Sequence, residues 1–119
     1  NTNALVLLIK RSTVDSGGTS TTRAIVPLDS TNAAATAVGR LYTANPTLGT
    51  TVGNAGTGYL IAPTLASVNR IAPYQANFGD ISTQSLVLRG TAEQLAINFN
   101  GVSLGGTTVC SIHVDWTEE

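Results

Sequence analysis

The chain has 119 residues and a formal net charge of −1, and 42% of its residues are hydrophobic while only 11% are charged. This length predicts one domain with one hydrophobic core. Charged residues supply about a quarter of an ordinary soluble domain, so this surface must consist mainly of Thr, Ser, Asn, Gly and Ala. The charge balance argues against nucleic acid and membranes as partners.

Targeting and redox signals are sparse. Cys110 is the only cysteine, which excludes an intrachain disulfide and a cysteine-rich metal site. The longest apolar run, residues 4–9, is too short to span a bilayer and lies too close to Lys10 and Arg11 for a secretion signal. Because the chain begins at Asn1 and contains no methionine, we expect a processed form or a fragment of a longer chain.

The first half of the chain predicts strands. Residues 4–13 are apolar on both faces, as in a strand covered on each side, and they end at a turn signal over residues 15–18. A second strand is predicted over residues 21–28, with Pro27 at its exposed or terminal end. Residues 33–44 could form a helix from their alanines, but their β-branched and aromatic members favour a strand, which we prefer.

The middle of the chain alternates between loop-like and strand-like composition. Residues 45–58 hold four glycines and one proline without periodicity, which predicts a long loop with a contact role. Residues 59–72 return to strand-like composition, interrupted by Pro63. A further short strand is predicted over residues 85–89, where Gly90 stops it.

Strict alternation of apolar with polar or small residues appears in two C-terminal segments. The apolar positions are Leu95, Ile97 and Phe99 in the first segment and Cys110, Ile112, Val114 and Trp116 in the second. The glycines at 105 and 106 supply a chain reversal between them. We therefore expect an antiparallel hairpin in which Trp116 is buried against the first strand.

Taken together, about seven or eight short strands without an amphipathic helix predict an all-β fold. The specific expectation is a jelly-roll-like antiparallel β-sandwich that forms a single domain over residues 1–119. No internal repeat of solenoid period is present.

One constellation could support hydrolysis. His113, the only histidine, shares the polar face of the last predicted strand with Ser111 and Asp115. Alternate strand residues are about 7 Å apart, so a triad-like chain could form, but a solvated strand face is the simpler interpretation. Ser111 also lacks the flanking glycines of a nucleophile elbow. We expect no catalytic residue and a non-enzymatic protein.

The other candidate sites are better explained as structure. Acidic residues at the C-terminus could act as paired carboxylates, but acids at a chain end are usually solvated; they are Asp115, Glu118 and Glu119. One histidine and one cysteine on opposite faces of a strand cannot begin a zinc site, and no acidic loop motif indicates calcium. We therefore expect no metal and no cofactor.

Two further patterns are weak. Gly53, Gly56 and Gly58 loosely resemble a phosphate-binding loop, but a predicted strand follows them and the Lys-Ser/Thr pair is missing. Exposed aromatic rings could stack on a glycan, although packing in a core or an interface is the interpretation that we favour. The tyrosines concerned are Tyr42, Tyr59 and Tyr74.

Two stretches carry a family resemblance. Residues 86–119 read LVLRGTAEQLAINFNGVSLGGTTVCSIHVDWTEE, and residues 28–49 read LDSTNAAATAVGRLYTANPTLG. Both resemble small virion-associated β-sandwich proteins of tailed bacteriophages. The similarity covers most of the chain, and its motifs are structural. The positions of closest similarity are Arg89, Gly90, Trp116 and Glu118.

The resemblance implies a structural role in a phage particle, as a capsid decoration or as part of a tail, fibre or spike. Partners would be other virion proteins and further copies of the chain, with a homotrimer expected because it is common among virion jelly rolls. The weak surface charge and the two-sided apolar strand at residues 5–9 also favour self-association. The alternatives are a receptor- or glycan-binding tip domain, with its site near residues 45–58, and a hydrolase that uses His113.

Overall fold

The computed structural model describes residues 2–62, 73–102 and 109–119. These residues form strands and no helix, so the all-β prediction is confirmed, while the jelly-roll connectivity stays a prediction. All strand pairs are antiparallel, and the two sheets have the orders β4-β1-β5 and β2-β3. The strands are β1 (Thr2–Arg11), β2 (Thr19–Arg23), β3 (Gly39–Ala44), β4 (Thr51–Ala62) and β5 (Gln94–Asn98).

The chain divides into two compact units, each with one of the sheets. The three-stranded unit comprises Asn1–Val14 and Thr50–Cys110. The two-stranded unit comprises Asp15–Gly49 and Ser111–Glu119.

The hydrophobic core of the three-stranded unit lies on β1. This strand is central in its sheet, with β4 on one side and β5 on the other. Its residues include all the buried hydrophobic residues of the part of the chain that the structure describes, namely Ala4, Val6, Leu8 and Ile9. The sequence predicts a strand that is covered on both faces. The face of Ala4, Val6 and Leu8 is buried, while Leu5 and Leu7 on the other face are half-buried.

Strand β4 carries two irregularities. Leu8 pairs with Gly56 but Ile9 pairs with Asn54, and a second register shift follows between Lys10 and Arg11. Each shift places an extra residue on β4, as in a β-bulge. Each extra residue shifts the alternation of the two faces along the β4 sequence by one position, which hides the period of two expected for a strand.

The two-stranded unit is stabilised by a turn at the predicted position, residues 15–18. Ser16 and Thr47 exchange backbone hydrogen bonds of 3.0 and 2.8 Å, and the Asp15 carboxylate accepts a bond of 2.7 Å from the N–H of Gly49. Gly18 has a φ of +68°, and a Cβ there would lie 2.7 Å from the carbonyl oxygen of Ala44. Glycine is therefore required at this turn.

Several predicted boundaries in the first half are corrected. Residues 45–58 are not one long loop, because β4 begins at Thr51. The strand expected over residues 21–28 is β2, which starts earlier and ends at Arg23, and the strand expected over residues 33–44 begins only at Gly39. β4 ends at Ala62, and the remainder of the segment predicted as a strand over residues 59–72 lies outside the described residues.

The predicted C-terminal hairpin is wrong. The strand predicted over residues 95–99 is β5, Gln94–Asn98, but it pairs with β1, and residues 109–119 lie in no strand. Trp116 is 45% exposed, so the prediction of its burial is wrong as well. Residues 85–89 are not a strand either. The predicted reversal at residues 105 and 106 lies outside the described residues.

Candidate functional site

The structure brings two members of the triad-like constellation together in solvent. His113 Nε2 lies 3.1 Å from Asp115 Oδ2, but the two side chains are 85% and 65% exposed. Ser111 is exposed as well. A contact between two such exposed side chains competes with water and contributes little. These three side chains are therefore solvated surface residues, which is the interpretation that the sequence analysis preferred.

Glu118 has the most extensive hydrogen bonding of the C-terminal acids. Its carboxylate accepts bonds from the backbone N–H and the hydroxyl of Thr36, from the N–H of Ala37 and from the indole N–H of Trp116, over 2.7 to 3.1 Å. The bond from Trp116 and those from Thr36 lower the pKa of Glu118 to about 2. Since such a group stays ionised at neutral pH, Glu118 acts as an anchor rather than as a general acid.

The sequence does not predict this anchoring role of Glu118. Thr36 and Glu118 are 82 residues apart, and no local pattern connects them. A weak signal does exist in the ending of the chain, where a tryptophan and an acid stand two residues apart. Residues at i and i+2 lie on the same side of an extended chain, which is the geometry that the Trp116–Glu118 bond uses.

The glycines of the suspected phosphate-binding loop lie in β4, paired with β1. Gly56 lies opposite Leu8 and Gly58 opposite Val6. The ring of Tyr74 packs directly on Gly58, at a place where a Cβ would collide with Cδ2 and Cε2 of the ring. Glycine inside a strand often marks such a close approach. Gly56 and Gly58 therefore provide a flat surface for the ring of Tyr74. All three glycines lie in a strand rather than in a flexible connector.

The three tyrosines do not share one environment. Tyr74 is half-buried against β4, and Tyr42 is half-buried with its hydroxyl 3.4 Å from the carbonyl oxygen of Asp15. Tyr59 is 66% exposed. Tyr42 and Tyr74 therefore serve packing, in agreement with the preferred interpretation of the sequence.

The LVLRG run is attached to β1 by polar contacts. Lys10 donates a hydrogen bond of 2.8 Å from Nζ to the carbonyl oxygen of Val87, and the same Nζ lies 3.2 Å from Glu93 Oε2. The backbone N–H of Arg89 donates to the same carboxylate oxygen over 2.8 Å. The bond from Arg89, together with Lys10, lowers the pKa of Glu93. This run is thus a loop anchored to the central strand.

An open depression of about 550 Å³ lies in the three-stranded unit. Uncharged residues line it, including Phe78 and the amide side chains of Asn77 and Gln84. One side is shaped by a turn in which the Asp80 carboxylate accepts hydrogen bonds from Ser82 and Thr83. Those bonds lower the pKa of Asp80. The depression offers amide groups and one aromatic ring but no charge.

Exposed apolar side chains are the most widespread feature of the described surface. Seventeen large hydrophobic residues are at least 37% exposed, against four hydrophobic residues that are buried. The two-stranded unit has no buried hydrophobic residue within its described part. Examples there are Leu28 at 94% and Val26 at 76%. Exposed apolar side chains mark a protein interface where they form a contiguous patch of more than a few hundred Å².

Within the described residues, no group of three or more His, Cys, Asp or Glu side chains could hold a metal ion. In that same portion, no helix is long and apolar enough to cross a membrane. Comparison with protein-family models, with curated proteins and with solved structures gave no match.

Proposed function

We propose that this chain is a non-enzymatic structural protein of a bacteriophage virion, acting as a capsid decoration or a tail-associated component through protein–protein contacts. The observation that carries the proposal is the contrast, within the described part of the chain, between seventeen exposed large hydrophobic residues and four buried hydrophobic residues. Each buried large side chain contributes about 1.5 to 3 kcal/mol relative to an exposed one. Contacts with neighbouring chains would recover much of this stabilisation.

The small size of the sheets supports the same proposal. A two-stranded sheet alone is marginally stable in water, and β2 and β3 have only each other as strand partners among the described residues. Hydrophobic side chains of this unit that lie in or beside β3, such as Val38 at 62% and Leu41 at 43%, remain exposed. Cover from a second subunit or from another virion protein would complete this unit.

Composition and resemblance agree with assembly. Charged residues make up only 11% of the chain, and a weakly charged surface presents little electrostatic barrier to contact between copies. The resemblance to virion-associated β-sandwich proteins implies the location, and a homotrimer is the assembly that we propose. Contacts with capsid or tail proteins would then attach this oligomer to the particle.

Two measurements test this function. Mass spectrometry of purified particles from the phage that encodes the chain should detect it in fixed stoichiometry with capsid or tail proteins. Light scattering on the purified protein should give the mass of a trimer that persists on dilution. Absence from particles would contradict the virion role, and a monomer at every concentration would contradict self-association.

A second candidate is a receptor- or glycan-binding tip domain of a fibre or spike. It is favoured by the open depression, whose side chains Asn77, Phe78 and Gln84 combine hydrogen-bonding amides with an aromatic ring. Saccharides are commonly bound by such sets, since rings stack on the sugar face and amides bond its hydroxyls. Binding on a glycan array that Gln84→Ala abolishes would favour this candidate, while no binding together with ordered assembly would favour the first.

A further inference from the structure

The C-terminal segment, residues 110–117, has the properties of a β-strand but pairs with none of the described strands. Its apolar and polar residues alternate, yet it lies in no strand. The contact between His113 and Asp115 joins residues i and i+2, and so does the contact between Trp116 and Glu118. Both contacts are typical of an extended chain, in which alternate side chains lie on one side.

The apolar side of this segment is open to solvent. Ile112 is 51% exposed, Val114 is 47% exposed and Trp116 is 45% exposed. The segment is nevertheless held at its end, because the Glu118 carboxylate is bonded to Thr36 over 2.7 and 2.8 Å. Because the segment is already extended and anchored at one end, it would lose little conformational entropy when it binds a partner.

Strand β5 supplies a complementary edge. Among the strands that the structure describes, it pairs with β1 on one side and is the last in the order β4-β1-β5. Its residues Leu95 and Ile97 alternate with Ala96 and Asn98, and all of them are half-buried. If the C-terminal segment paired antiparallel with β5, every second register would place its apolar side on the same face as Leu95 and Ile97.

We propose that the C-terminal segment of one copy adds as an antiparallel strand to β5 of a second copy. This inference rests on the proposed self-association and specifies its contact. The two segments with the most regular alternation of apolar and polar residues, β5 and residues 110–117, would then pair between chains. When each copy donates its C-terminal strand to the next copy, the interface is head-to-tail. Such an interface forms a closed ring if the rotation between neighbouring copies brings the last copy back to the first. A trimer is one such ring, and strand addition is an established mode of recognition.

Disulfide exchange between two differently labelled proteins tests this pairing directly. Both proteins carry Cys110→Ser. One also carries Asn98→Cys in β5, and the other carries Ser111→Cys or His113→Cys, which test two neighbouring registers. The matched control replaces Asn98→Cys with Thr91→Cys, at an exposed position outside β5.

A mixed disulfide should form with Asn98→Cys in one register at least about tenfold faster than with Thr91→Cys, because pairing raises the effective concentration. The readout is the mass of the linked heterodimer under non-reducing conditions. Equal rates for the two acceptors would overturn the inference. So would a chain that carries both cysteines and forms only an internal disulfide, because the pairing would then lie within one copy.

A pair of lysine variants separates this contact from self-association in general. Val114→Lys places a charge on the apolar side, whereas His113→Lys changes the neighbouring polar side. Light scattering should show Val114→Lys as a monomer and His113→Lys as the wild-type oligomer, and circular dichroism should show the same strand content in both variants. If Val114→Lys keeps the wild-type mass, the strand contact is wrong while self-association stands. A monomeric wild type that is still recovered from particles would overturn this inference and leave the virion role intact.

Discussion

The carboxylate of Glu118 accepts hydrogen bonds from both the backbone N–H and the hydroxyl of Thr36, over 2.7 and 2.8 Å. The two residues are 82 positions apart in the chain. The contact attaches the C-terminal segment to the stretch that precedes β3. It also involves Trp116, whose indole N–H donates to the same carboxylate over 3.0 Å.

This contact predicts a pH-dependent attachment. The pKa of Glu118 is lowered from 4.5 to about 2. A carboxyl group with a lowered pKa in the folded state stabilises that state above its unfolded pKa, and the contribution is lost as the pH falls towards the folded value. The attachment should therefore be complete above about pH 4.5 and weaken progressively towards about pH 2.

Fluorescence of Trp116, the only tryptophan, measures this transition. The wild type should show an emission change between about pH 4.5 and pH 2 that Glu118→Gln removes. Glu119→Gln is the matched control, since Glu119 is an exposed neighbouring acid. An identical titration in Glu118→Gln would mean that another group controls the environment of Trp116.

A second prediction concerns Gly58. A methyl group there would overlap the ring of Tyr74, so Gly58→Ala should destabilise the protein by about 1 to 3 kcal/mol, as overpacked sites do. Gly53→Ala should have little effect, because no atom lies within 4 Å of a Cβ at that position. Chemical denaturation measures both changes.

The Gly58 prediction has a sharper form as a double-mutant cycle. In the background Tyr74→Ala, Gly58→Ala should lose most of its cost, since the ring that it meets is gone. Equal costs in the two backgrounds would show that the ring does not explain why glycine stands at this position.

A third prediction concerns Lys10. It contacts both the carbonyl oxygen of Val87 and the carboxylate of Glu93. Lys10→Met should therefore increase amide hydrogen exchange over residues 86–93 while the core of β1 stays protected. Arg40→Met, at an exposed position of β3, is the control. Unchanged exchange over residues 86–93 would contradict the anchoring role.

A fourth prediction is that His113→Ala changes stability by no more than about 0.5 kcal/mol, as is usual for an exposed position. Its side chain is 85% exposed. The assay is incorporation of the variant into particles together with infectivity, and both should be normal. Normal incorporation with lost infectivity would assign His113 a contact or chemical role during entry.

The sequence by itself predicted the first strand and the all-β class, while its central position in the sheet came from the structure. The run from Ala4 to Ile9 is apolar on both faces, which predicts a strand with cover on each face. The structure buries Ala4, Val6, Leu8 and Ile9 and leaves the rest of the run half-buried. The alternation at Leu95 and Ile97 likewise predicted β5, and the turn at residues 15–18 followed from its glycines. Candidate catalytic residues were also interpreted as surface side chains, which agrees with the exposure of His113 and Asp115.

Tertiary structure decided which segments pair and why certain glycines stand inside a strand. Alternation encodes which face of a strand is apolar, but it does not encode the partner strand, so β5 pairs with β1 instead of the C-terminal segment. The glycines at 56 and 58 broke the periodicity of β4 because Tyr74 packs on them, a contact that appears only after folding. The Glu118 anchor to Thr36 has the same origin, since a contact across 82 residues leaves no local pattern.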